Sequence, residues 1–379
     1  MKIGIFSRFP PLQGGVSSET YWDSVALVKK GIETVIISNS WSGNYENRIN
    51  FNVEDLDYFN SKNLKLYIKN PFSNSNNTDS KGPNLETELF ALGIEVERKE
   101  NLDIIEGFYL FPYGMSAWSL SKLYKKPLII KHAGSDFYSL QKLSYLPLIN
   151  VFKEADFILS RLDSASKMFG NEKIKKLGLA IPNEFNPQVI PKFNFEVPTI
   201  GFIGKYNSFK RIKELTEELN KINLPYKFLI LTDKKGQVEI NKILSSKVKE
   251  NSIFVNFTAP WNMPSIYASL DILYCGETGF NINEHFPKVA LEGFSSGVCT
   301  LLSDEIFNKY KDVFNLIDGE NVIRFNPLNG NEMKAKLESI LKDENLRRNI
   351  SLNSVKIPMI NYNSYIDSLI QIYKLVLEK

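Results

Sequence analysis

Cysteine and histidine are scarce in this chain of 379 residues, with two of each. Cys275 and Cys299 lack the spacing of metal ligands, so they read as small buried apolar side chains. Long hydrophobic runs are missing as well. The opening MKIGIFSRFPP has an early lysine but no apolar stretch of signal-peptide length, and no later segment reaches the length of a membrane span. A cytoplasmic protein is expected, with peripheral contact at the inner face of a membrane left open. Charge of one sign is not in excess: 46 Lys and Arg face 43 Asp and Glu, and a formal charge of +3 is too small to argue for a nucleic-acid partner. No G-x-G-x-x-G follows the first apolar run, which disfavours a nicotinamide dehydrogenase.

What is present is an ordinary soluble composition, 43% hydrophobic and 23% charged, in a length that suits two domains with separate cores. Apolar runs of strand length alternate with helix-period stretches, the pattern of an α/β protein whose parallel sheets carry helices on both faces. In the first half the expected strands are 2–6, 34–38, 64–68, 103–106, 127–131, 156–160 and 173–177, with the clearest helices at 17–30, 113–124 and 143–154. The polar stretch 70–84 reads as a surface loop. Four prolines between 182 and 198 mark an interdomain linker. Beyond it a second alternation begins, with strands at 199–203, 227–231, 252–257, 271–274, 298–302 and 322–325, and helices at 210–221, 263–269, 288–296, 332–341 and 362–377. Ligands of such sheets bind beyond the carboxyl ends of the strands, so two domains facing each other would form one cleft.

Four constellations fall at those strand ends. Gly14 and Gly15 follow the first strand and allow close backbone approach, although a glycine pair is usually just a turn. In KHAGSDFY, His132 ends a strand and is followed by Gly134 and Asp136; a lone histidine there is more often structural than catalytic. In GFIGKYNSFKR, Lys205 and Lys210 bracket a strand-to-helix turn. A lysine cluster is usually a solvated face, but two cations there suit stabilisation of a departing diphosphate. The richest stretch is NEHFPKVALEGFSSGV, where Glu284 and Glu292 are separated by seven residues. Pro287 suits the first turn of a helix ending at Gly297, and the amides of Lys288 and Val289 at its N-terminus would favour a phosphate.

These residues resemble the retaining, nucleotide-sugar-dependent glycosyltransferases of family four. The Glu284–Glu292 stretch looks like that family's glutamate, seven residues, glutamate motif. Lys205 and Lys210 fall where the family has an arginine and then a lysine. The Gly14–Gly15 loop and the His132–Asp136 segment are similar too. The resemblance implies the GT-B fold, two facing Rossmann-like domains at 1–182 and 183–361, with residues 362–379 crossing back to the first. It implies that Glu292 binds the nucleotide ribose and that Glu284 touches the donor sugar. Lys205 and Lys210, assisted by the amides of Lys288 and Val289, would hold the diphosphate. His285 and Phe286 would line the donor pocket with Gly14 and Gly15, His132 would sit near the transferred sugar, and Asp136 would lie on the acceptor side. Two departures stand out: Lys205 lacks the two-pronged grip of arginine, and His285 stands where glycine is frequent.

The implied reaction moves a sugar from a nucleoside diphosphate to an acceptor hydroxyl of a glycan, a lipid-linked or a small molecule, with retained configuration and with no metal or cofactor. Competing readings are a non-catalytic GT-B subunit supporting a partner transferase, a GT-B sugar-nucleotide epimerase, and a basic membrane-surface adaptor using Lys122, Lys125, Lys126 and Lys131.

Overall fold

The computed structural model describes residues 1–39, 63–69, 85–132, 134, 146–160, 170, 172–279 and 287–378. The polar stretch 70–84 lies outside the described residues, as do Asp136, Glu284, His285 and Phe286. The chain divides into two compact units, Met1–Ala180 with Ile360–Lys379, and Ile181–Met359. A bridge between Ala180 and Ile360 ties the point where the chain leaves the first unit to the point where it returns.

In the first unit seven strands form one parallel sheet. They are β1 (Lys2–Phe6), β2 (Glu33–Asn39), β3 (Leu64–Lys69), β4 (Ile104–Phe108), β5 (Leu128–Lys131), β6 (Phe157–Ser160) and β7 (Ile174–Lys176), in the order β3-β2-β1-β4-β5-β6-β7. Runs such as LIIK and FILS open on three consecutive apolar residues because a parallel sheet is covered on both faces. On one face Phe6, Val35, Ile105 and Ile130 pack with Leu89, Leu92 and Leu120 from the helices Leu85–Glu100 and Met115–Tyr124. The direction of winding reverses between β1 and β4, so their carboxyl ends flank the crevice where such sheets bind ligands.

The second unit repeats the plan with six strands: β8 (Thr199–Ile203), β9 (Lys227–Thr232), β10 (Ser252–Asn256), β11 (Ile272–Cys275), β12 (Cys299–Ser303) and β13 (Ile323–Phe325). Their order is β10-β9-β8-β11-β12-β13, all parallel. Cys275 and Cys299 are both buried, and burial pushes each thiol up to about 12, far from a reactive thiolate.

Lys131 is not a surface lysine. It ends β5 and is buried, with Nζ 2.7 Å from Asp23 and 2.8 Å from Glu19 on the helix Gly15–Lys29, and 4.4 Å from the Phe108 ring centroid. The surface-adaptor reading therefore loses that residue. The ammonium also donates to the Tyr365 hydroxyl at 2.9 Å. Tyr365 and Tyr362, on the last helix Tyr362–Leu377, donate to Asp23 at 3.1 and 3.0 Å. Further along, Tyr373 donates to Glu106 of β4 at 2.6 Å. The last helix is thus fastened to the first unit by buried phenols as well as by its apolar face.

Glu106 carries a pH consequence. Burial, only partly offset by the Lys131 charge and the Tyr373 hydrogen bond, raises its carboxyl from the ordinary 4.5 to about 7. A carboxyl whose folded value is raised stabilises the fold while protonated, and that stability is lost as pH climbs from about 4.5 through about 7. Denaturant titrations should show this fall, roughly 3 kcal/mol at 1.36 kcal/mol per unit. Glu106→Gln, which keeps an acceptor for Tyr373, should remove that part of the slope; an unchanged slope would contradict the assignment.

Candidate functional site

Lys210 sits at the mouth of the second sheet through three local choices. Gly204 follows β8 with φ +149°, and a Cβ there would lie 2.9 Å from Cε of Lys210, so only glycine lets the lysine fold back over the strand end. Asn207 caps a 3₁₀ turn, Ser208–Lys210, its side chain accepting from the Lys210 amide at 3.1 Å. Arg211 is left-handed at φ 51°, ψ 34°, and the helix proper runs from Ile212 to Lys221. The continuous helix expected at 210–221 is therefore broken at Arg211, and Lys210 belongs to the turn before it.

Facing this turn is the segment after β11. The Thr278 amide donates to the Phe209 carbonyl at 2.9 Å, and the Tyr274 hydroxyl donates to the Arg211 carbonyl at 2.9 Å. Ser303 donates to the Glu277 carbonyl, and the Gly279 amide to Glu305 at 2.5 Å. The two loops are laced together, and Lys210 makes an ion pair with half-buried Glu277. Glu277 has no partner at a telling sequence spacing; its only signal in the sequence is its place just past the carboxyl end of a strand.

The third wall is the helix Lys288–Ser295. Pro287 does not occupy its first turn as expected; it is the residue before it, with ψ 108°. Proline fixes φ near −65° and leaves ψ free, so the ring suits either position. Helix geometry gives the Val289 amide no acceptor within the helix, and the dipole adds partial positive charge at that end. One small pocket is lined by Lys210, Glu277, Gly276, Pro287, Val289 and Ile306, among others. An ammonium and a helix N-terminus at one pocket make a place for an anion.

One turn further along, Glu292 accepts a 2.7 Å hydrogen bond from Tyr267, whose fully buried ring packs edge-on against Phe185. Burial raises the Glu292 carboxyl, against the opposing Tyr267 hydrogen bond and Lys288 charge. The carboxylate is therefore held in one orientation beside the anion pocket. Lys205 is exposed and does not line that pocket.

The remaining expected residues lie in the first unit. Gly14 has φ +126°, closed to other residues, and neither Gly14 nor Gly15 has an atom within 4 Å of where a Cβ would stand, so the backbone there is open to a ligand. His132 is buried, with its ring edge-on to Phe152 at 6.1 Å. Nδ1 accepts from the Gly134 amide at 3.3 Å, which leaves the proton of the neutral ring on Nε2, 2.8 Å from the Ser160 hydroxyl. Both nitrogens thus anchor the turn after β5.

Residues 184–356, nearly all of the second unit, match the family model described as glycosyl transferases group 1. No curated protein matches the chain in sequence. Solved structures resemble it over its whole length. Sucrose-phosphate synthase from Thermosynechococcus elongatus is 13% identical with a TM-score of 0.70, covering 100% of this chain and 99% of that one. A glycosyltransferase from Rickettsia africae is 16% identical with a TM-score of 0.67, covering 100% and 99%. Anabaena HepE in complex with UDP and glucose is 11% identical with a TM-score of 0.63, covering all of both chains. The two Rossmann-like domains are those of the GT-B fold.

Proposed function

We propose that the chain transfers a sugar from a nucleoside-diphosphate sugar to an acceptor hydroxyl with retained configuration. The observation that carries this reading is the pocket in which Lys210 meets the N-terminus of the helix Lys288–Ser295, one turn from the oriented Glu292. In the reaction the bond from the anomeric carbon to the diphosphate oxygen breaks and a bond to the acceptor oxygen forms on the same face. The acceptor proton passes to the leaving phosphate. Lys210 and the amides of Lys288 and Val289 stabilise the charge that develops on the diphosphate. Glu292 takes the ribose hydroxyls, its orientation fixed by Tyr267. Lys205, exposed at the strand mouth, supplies longer-range attraction for the same anion. His132 acts through the turn it anchors, and Gly14 and Gly15 admit the donor close to the backbone. Glu284, His285 and Phe286 complete the sugar pocket, and Asp136 belongs to the acceptor side. The binding of UDP by HepE makes UDP-sugars the first donors to test.

The test is calorimetric titration with UDP and candidate UDP-sugars, followed by assay of donor consumption with acceptor mixtures. Nucleotide binding by the wild type is expected, and Glu292→Ala should weaken it about tenfold, the cost of losing one or two charge-assisted hydrogen bonds. No nucleotide binding would refute the reading. Donor conversion without any acceptor would assign an epimerase instead.

A further inference from the structure

We propose that Arg8 forms an anion subsite for the acceptor, and that the acceptor is a hydroxylated molecule bearing a phosphate or carboxylate. The proposal rests on the transfer reading above and adds the chemical class of the acceptor. Arg8 follows β1 and is exposed, and Tyr109 follows β4, so the pair flanks the crevice where the winding of the first sheet reverses. The guanidinium lies 5.2 Å from the Tyr109 ring centroid and acts on the hydroxyl of buried Tyr113, which itself donates to Asn39 at the end of β2 at 2.5 Å. No carboxylate among the described residues pairs with Arg8. A guanidinium beside aromatic side chains at a ligand crevice, with no carboxylate partner among the described residues, is prepared for an anion from solution.

The backbone beneath it points the same way. Tyr109 has φ 77° and ψ 116°, a conformation that side chains rarely adopt. It is locked there by a 3.0 Å bond from its amide to the Lys131 carbonyl and another, also 3.0 Å, from the Gly114 amide to its own carbonyl. Strain of this kind persists where the surroundings over-determine it and concentrates at ligand sites. What it achieves here is to bring an aromatic ring under Arg8. Phe111, two residues on in the same segment, is apolar and 44% exposed.

The experiment titrates the full chain with glucose 6-phosphate, glucuronate and glucose, read by ligand-observed NMR, for the wild type and Arg8→Gln. The wild type should bind a charged probe at least about tenfold tighter than glucose, the worth of a charge-assisted hydrogen bond, and Arg8→Gln should erase that preference. The stronger of the two charged probes identifies phosphate or carboxylate as the group recognised. Arg8 is exposed, so the variant is expected to fold, and UDP binding measured on the same sample checks this. Equal binding of charged and neutral hexoses, or a preference that survives Arg8→Gln, overturns the subsite. Failure of the transfer reading would show separately, as absence of UDP binding by the wild type.

Discussion

Replacing Lys210 by alanine is expected to slow sugar transfer by about 100- to 1,000-fold, the usual cost of removing one preorganised group that stabilises developing charge. The ammonium lines the anion pocket, and Gly204 and Asn207 fix where it stands. The alanine variant also removes the cation paired with half-buried Glu277, whose negative charge then opposes the diphosphate. Ground-state binding of the diphosphate and the barrier to its departure should both suffer, so nucleotide affinity is expected to fall along with turnover. Glu277→Gln separates the two contributions. It keeps a hydrogen-bonding side chain but removes the competing negative charge, so it should tighten UDP binding several-fold while Lys210→Ala weakens it. Single-turnover kinetics and calorimetry on the two variants make the comparison. A Lys210→Ala enzyme within threefold of wild type would remove Lys210 from the machinery.

Much of this was legible in the chain because strands in a doubly covered sheet carry consecutive apolar residues rather than alternating ones. The runs at β1, β5, β8 and β11 stand out, and the glycines and lysines just after them mark the ligand side. Helices were read less completely. Those at Lys234–Ile243 and Glu344–Ser354 are mostly polar and half-exposed, so their apolar stripe is thin and periodicity is a weak guide. Asp304–Phe314 begins directly after β12, with no connecting turn residues to announce it. At the site, Lys210 was found by position, and the spacing of Glu284 and Glu292 pointed to the helix that follows. Glu277, Arg8 and Tyr109 were missed because each is a single residue in a loop, and what makes it notable is a partner or a backbone angle.

Lys131 is the sharpest case of tertiary context overriding local pattern. A lysine at the end of LIIK reads as a charge leaving the sheet for water, but a helix 234 positions later carries Tyr365 onto it. The ammonium is buried together with the carboxylates it serves, Glu19 and Asp23. Lys131→Met keeps the length of the side chain and removes the charge that compensates the two buried carboxylates. The expected loss is about 3 to 5 kcal/mol of unfolding free energy, the range for breaking a buried pair from one side. Adding Glu19→Gln and Asp23→Asn removes the uncompensated charges and should recover half or more of the loss. Urea titrations at pH 8 on the single and triple variants test this. A Lys131→Met protein within about 1 kcal/mol of wild type at pH 8, well below the buried-pair range, would mean that the Lys131 ion pairs add little to the stability of the fold.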